Sequence, residues 1–196
     1  GWIYTTNASM DLADIMLRDS GHIQESDVRY VNKKRQKKGQ PPMEPLYTQQ
    51  DAIEAMPQFR SVWYKQAFEP IPGVTARLFD AGHILGSAAV ALDYQENGQN
   101  KRFWFSGDIG RLDAPILQDP VMPENADTLL MECTYGDKKH ERLEDAYDEF
   151  VDAINRTVKR GGKVIVPAFA VGRTQNLSYM LSEAIDNGDI PDVPVV

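Results

Sequence analysis

Apolar residues recur along this chain with two different periods. Helical spacing is clearest where Leu143, Tyr147, Phe150, Ile154 and Val158 share one stripe, with Glu144, Asp145, Asp148, Glu149 and Asp152 largely elsewhere. That pattern predicts a long helix over residues 140–160, ended by Gly161-Gly162. A second stripe of Leu177, Met180, Leu181, Ala184 and Ile185 predicts a helix that opens at Gly172-Arg173-Thr174-Gln175 and closes at Asn187-Gly188. Near the start, Asn7 or Ser9 caps a helix through residues 11–18 that Ser20-Gly21 stops, and Thr48 caps a short helix within residues 47–56.

Strand patterns lie between these helices. Residues 1–6, 59–68, 74–79, 88–94 and 102–105 read as strands, with turns at Pro70-Ile71-Pro72-Gly73 and at Glu96-Asn97-Gly98-Gln99. Residues 127–131 and 163–169 are nearly continuous apolar runs, the mark of strands buried on both faces, and residues 193–196 begin another. Strand, helix, strand in that order predicts a parallel sheet with a crossover helix. Residues 114–123, rich in proline, form a loop.

Two turns carry candidate chemistry. The strand ending at Phe79 runs into Asp80-Ala81-Gly82-His83-Ile84-Leu85-Gly86-Ser87, and the strand ending at Phe105 runs into Ser106-Gly107-Asp108-Ile109-Gly110-Arg111. Glycine lets each turn fold sharply and present one polar side chain at the sheet edge, an imidazole from the first and a carboxylate from the second. The hairpin between them can bring the turns together, and imidazole with carboxylate on rigid strand ends is a metal-site arrangement. On spacing alone, His83 reads as a structural or solvated histidine more readily than as a ligand, and Asp108 reads equally as a plain turn residue.

Composition narrows the class. With 42% hydrophobic and 26% charged residues, the 196-residue chain is an ordinary globular sequence with length for a core. No apolar run approaches a membrane span and no signal peptide is visible, while the single Cys133 excludes an intrachain disulfide framework and fits a reducing cytosol. The net charge of −8 argues against a protein coated in basic surface for nucleic acid, although phosphate contacts can be local. The one basic run, Lys33, Lys34, Arg35, Gln36, Lys37 and Lys38, reads as a solvated helix end, or alternatively as a phosphate-tracking patch beside an active site. His22, just past the first helix, reads as a loop or capping residue.

DAGHILGSA followed by FSGDIGR resembles the third and fourth motifs of the metallo-β-lactamase superfamily, and ECTYGD (132–137) with VPAFAVGRTQ (166–175) resembles its β-CASP branch, whose members process RNA or DNA. The resemblance implies an α/β fold: part of the αββα metallo-β-lactamase sandwich over residues 1–137, then the beginning of a β-CASP α/β domain over 138–196. It implies that His83 and Asp108 are metal ligands, Asp108 bridging two zinc ions, and that these two with Glu132 are the catalytic residues, Glu132 orienting a ligand or relaying a proton. Cys133 stands where serine is common in such motifs, a small change. His140, at a helix start where relatives often carry a histidine, is a further candidate, and Arg173 at the next helix start is a candidate phosphate contact alongside a structural ion pair.

The family's His-x-His-x-Asp-His cluster is absent, the only histidines being His22, His83 and His140, and so is its C-terminal histidine ligand. Either the chain is part of a longer protein or its metal site is lost, and the survival of His83 and Asp108 favours the first. These 196 residues alone are therefore expected to bind zinc weakly and cleave nothing. The function implied is a fragment of a zinc-dependent, cytoplasmic nuclease acting on RNA, with DNA as another substrate and a homodimer compatible with it. The alternatives are a non-catalytic homologue that binds RNA or protein, and a small-molecule metallo-hydrolase, which the motifs after Glu132 disfavour.

Overall fold

A computed structural model describes residues 1–138 and 143–196. Its centre is a five-stranded sheet in the order β3 (Phe68–Ile71), β4 (Val74–Asp80), β5 (Ala88–Glu96), β6 (Gln99–Phe105) and β7 (Thr128–Leu130). The first four strands run antiparallel and β7 joins β6 in parallel. Local turn chemistry sets the two hairpins: Pro72-Gly73 separates β3 from β4, and Asn97-Gly98, both at positive φ (51° and 76°), separates β5 from β6. On one face Trp104 packs with Ala89 and Ala91, all almost fully buried, against Phe79, Val121 and Ala126.

Asp93 ties three strands together at the other end of this sheet. It lies opposite Arg102, whose Nε and Nη2 donate to it at 2.6 and 3.0 Å, and Arg77 Nη1 donates at 2.6 Å. Arg102 first, then Arg77, holds the Asp93 carboxyl below its ordinary value. A depressed folded-state pKa adds stability above the unfolded value and loses it as pH falls through the folded one. The thermal midpoint should therefore drop on acidification below about pH 4, and Asp93→Asn should flatten that part of the curve.

Outside this sheet, β1 (Ile3–Thr5) and β2 (Phe59–Ser61) form a two-stranded parallel pair. Helix α1 spans Asn7–Lys37 and α2 spans Gln49–Ala55, the latter capped by Thr48 as expected, within a capping box completed by Asp51. Helices α3 (Leu143–Lys159) and α4 (Arg173–Asp186) share a second cluster in which Ile154, Ala184 and Ile190 are buried and Tyr147, Phe150, Val158, Leu181 and Ile185 pack around them. From Tyr147 onward the first stripe, and from Leu181 onward the second, are thus packed faces. No helix among the described residues is long and apolar enough to cross a membrane.

Several expectations are corrected. Thr6, not Asn7 or Ser9, caps α1. Ser20-Gly21 does not stop α1: Gly21 is buried where α1 crosses α2, and a Cβ there would sit 2.7 Å from the Gln49 nitrogen. Glycine serves that crossing. His22 therefore lies within α1, on its exposed side, and the basic run is the helix's solvated C-terminal end. The expected strand over 59–68 divides because Lys65 adopts a positive φ of 64° and donates its N–H to the Leu78 carbonyl. Strand β7 exists but is not buried, since Leu129 and Leu130 are 46% and 54% exposed. Residues 163–169 and 193–196 form no strand: Ile165 and Phe169 are 89% and 86% exposed and no neighbouring strand supplies a ladder. The expected parallel sheet crossed by α3 and α4 is accordingly not formed among the described residues.

Candidate metal centre

The two glycine turns meet at one end of the main sheet. After β4 the chain enters the His83 turn, with Gly82 and Gly86 at φ of 64° and 89°, and after β6 it enters the Asp108 turn, with Gly107 at 59°. Strand β5 lies between β4 and β6, so side chains at the two strand ends start roughly 10 Å apart. The turns close that gap through their backbones. The Gly110 N–H donates to the Ala81 carbonyl at 2.7 Å, and Gly110 lies so close to the Gly82 carbonyl that no side chain fits between them. His83 Nε2 and Asp108 Oδ2 consequently stand 4.0 Å apart, with side chains 46% and 76% exposed.

Glu132, just past β7, supports the second turn. Its Oε1 accepts the Ile109 N–H at 2.6 Å, its own N–H donates to Ser106 Oγ at 3.2 Å, and the buried Ser106 donates its N–H to the Leu130 carbonyl. The Ile109 amide is the main cause that holds the Glu132 carboxyl below its ordinary range; the Thr134 hydroxyl and the nearby His83 act in the same direction. An ionised carboxylate gripping the residue after Asp108 orients that turn.

The donor set fits part of a metal site. Two ligands of one tetrahedral zinc, each about 2.0–2.1 Å from the ion, lie about 3.4 Å apart, so a small closing of the 4.0 Å gap would bring His83 and Asp108 to that spacing. They are only two donors, however, and no group of three or more His, Cys, Asp or Glu gathers among the described residues. The pair can contribute to a centre but does not close one.

No family model matches the chain. It is 30% identical over 181 residues to a ribonuclease of Thermus thermophilus, TTHA0252, covering 92% of this chain and 37% of that protein. It is 34% identical over 202 residues to the transcription termination factor FttA of Pyrococcus horikoshii, covering all of this chain and 28% of that protein. It is 30% identical over 152 residues to the cleavage and polyadenylation specificity factor 73 of Drosophila melanogaster, covering 76% of this chain and 22% of that protein. The chain belongs to the β-CASP branch of the metallo-β-lactamase superfamily. It spans well under half the length of the curated relatives it matches.

Within this β-CASP chain, the structure brings His83, Asp108 and Glu132 together and sets the other candidates apart to different degrees. The exposed Arg173 opens α4, and a Cβ on the preceding Gly172 would lie 2.8 Å from the side chain of Ile84, the residue after His83. Lys33, Lys34 and Arg35 do not flank the pair: Thr6 at the start of α1 contacts the His83 turn, and the basic run lies about 40 Å along the helix axis from it. There Lys34 caps the Tyr30 ring at 4.3 Å and Arg35 donates to the Pro41 carbonyl. His140 lies outside the described residues.

Two features went unread in the sequence. One is the approach of Gly110 to Gly82, for which the glycine itself was the only signal. The other is an apolar groove of about 710 Å³ beside the His83 turn, lined by Leu12, Ile15 and Met16 of α1, by Ile84 and Leu85, and by the segment before α4.

Proposed function

We propose that this chain carries part of the active centre of a cytoplasmic, zinc-dependent ribonuclease that hydrolyses phosphodiester bonds in RNA. One observation carries the reading: an imidazole nitrogen and a carboxylate oxygen 4.0 Å apart, on two turns joined by backbone contact, in a chain similar to proteins named as ribonucleases and RNA-processing factors. His83 and Asp108 would hold the metal. Bound zinc would lower the pKa of a water and offset charge on the phosphoryl oxygens. The chain's other contributions are positional: Glu132 keeps the Asp108 turn in place through the Ile109 amide, and Arg173, which follows the Gly172 beside Ile84, would contact a phosphate of the RNA.

Metal analysis of the protein that carries this chain, together with cleavage of matched RNA and DNA strands, tests the proposal. Stoichiometric zinc and metal-dependent RNA cleavage are expected, both lost in Asp108→Ala and His83→Ala. A protein that stays active after complete zinc removal would refute the reading. Faster cleavage of DNA would shift the substrate class, and sedimentation would decide the homodimer. A second reading, a non-catalytic homologue that binds RNA or protein, is favoured by the finding that no group of three or more His, Cys, Asp or Glu is arranged to hold a metal among the described residues. Absence of zinc with RNA binding intact would select it.

A further inference from the structure

We infer that Thr6, Ser9 and Tyr64 are positioning residues for His83, a role that rests on the metal-binding reading of that histidine. The His83 turn has little regular structure of its own: Ala81 N–H donates to the Ser87 carbonyl at 3.3 Å, and Ser87 Oγ accepts from the His83 and Ile84 N–H groups at 3.1 and 3.3 Å. An imidazole 46% exposed has little packing to hold it, so its place depends on where this backbone sits.

Three hydroxyls from outside the turn fix that backbone. Thr6 Oγ1 and Ser9 Oγ both donate to the Gly86 carbonyl at 2.8 Å, using both lone pairs of that oxygen, and the Tyr64 phenol donates to the Ser87 carbonyl at 2.9 Å. Capping α1 does not require these bonds. As N-cap, Thr6 has only to accept the Ser9 N–H, which it does at 3.2 Å, leaving its hydroxyl hydrogen free to serve another group. Ser9 has no capping task at all. Gly86 completes the fit, since a Cβ there would lie 2.6 Å from the Ser9 nitrogen and 2.7 Å from its oxygen. The route from helix to histidine is continuous: α1 and Tyr64 hold Gly86 and Ser87, and Ser87 holds the His83 and Ile84 amides.

The test compares the complete protein carrying this chain with its Ser9→Ala/Tyr64→Phe double variant, which leaves the Thr6 cap intact. It reads amide hydrogen exchange over residues 82–87 in zinc-free protein and, separately, zinc affinity by titration. Exchange at His83 and Ile84 should rise about tenfold and zinc affinity fall about tenfold, the effect usual for groups that orient a ligand, at a nearly unchanged unfolding midpoint. Thr6→Val should act the same way and Thr6→Ser should not. Unchanged exchange in the double variant would overturn the clamp, as would a Thr6→Ser variant as impaired as Thr6→Val. Should Thr6→Val unfold, the double variant decides alone. Raised exchange in a protein whose parent binds no zinc would support the clamp while refuting the metal reading.

Discussion

Gly110→Ala is expected to abolish the paired site while leaving most of the fold standing. Gly110 is not held in a left-handed conformation, so alanine meets no backbone penalty there; the obstacle is space. Its Cβ would overlap the Gly82 carbonyl and lie 2.7 Å from the His83 nitrogen. Both obstacles are backbone, so no side-chain rotation relieves the clash and one turn has to move. The Gly110–Ala81 hydrogen bond that joins the turns breaks with that movement. Because His83 and Asp108 are exposed and little packed, the turns can relieve the strain by parting, and the cost to global stability should stay near the 1–3 kcal/mol usual for overpacking, about. Displacement of catalytic groups by about 1 Å can cost on the order of a hundredfold, so the zinc affinity and RNA cleavage proposed for the protein that carries this chain should fall at least that far. Gly107→Ala, whose Cβ would come to a tight 3.1 Å from the Ala88 carbonyl, provides a comparison in which the clash is smaller but φ is unfavourable. Wild-type zinc affinity in Gly110→Ala would show that contact between the turns does not assemble the pair.

Features set by neighbours in sequence were legible, and features set by neighbours in space were not. The β4–β5–β6 meander follows from alternating residues and from Asn97-Gly98, whose positive φ values suit a tight hairpin. His83 and Asp108 stood out because each is a polar residue among glycines at a strand end, and the family resemblance gave them a role. Their 4.0 Å separation did not, because it depends on Gly110 meeting Gly82 across an intervening strand. Gly21 shows the same limit: read locally it ends a helix, whereas in the fold it admits the backbone of Thr48 and Gln49. The apolar runs at 127–131 and 163–169 predict burial because apolar composition usually means burial. In the structure, Leu129, Leu130, Ile165 and Phe169 remain open to solvent. Composition records what a segment can bury, not what covers it.

Trp104→Ala is expected to cost the fold most. Trp104 is 2% exposed in β6, opposite Ala91 on β5 and Leu129 on β7, and its ring stacks on Phe79 with centroids 4.8 Å apart. Removing a buried aromatic ring typically costs about 3–5 kcal/mol, the larger values where the surroundings cannot collapse into the space. Ala89 and Ala91 end at Cβ on a strand hydrogen-bonded along both edges, so neither can extend into the void, which leaves Phe79, Val121 and Ala126 as the only members of the cluster that could move to fill it. Set against the ~5–15 kcal/mol that holds a typical domain folded, the upper part of that range is a large share of the total. The damage should reach the site as well, because Trp104 is two residues before Ser106, whose side chain accepts the Glu132 N–H, and Glu132 in turn holds the Asp108 turn. Urea unfolding of the wild type, Trp104→Phe and Trp104→Ala measures this directly. Phenylalanine keeps the contact with Phe79 and should lose less than half as much as alanine. A Trp104→Ala loss below about 1 kcal/mol, less than even a buried Ile→Val change often costs, would mean that the sheet's stability does not rest on this cluster.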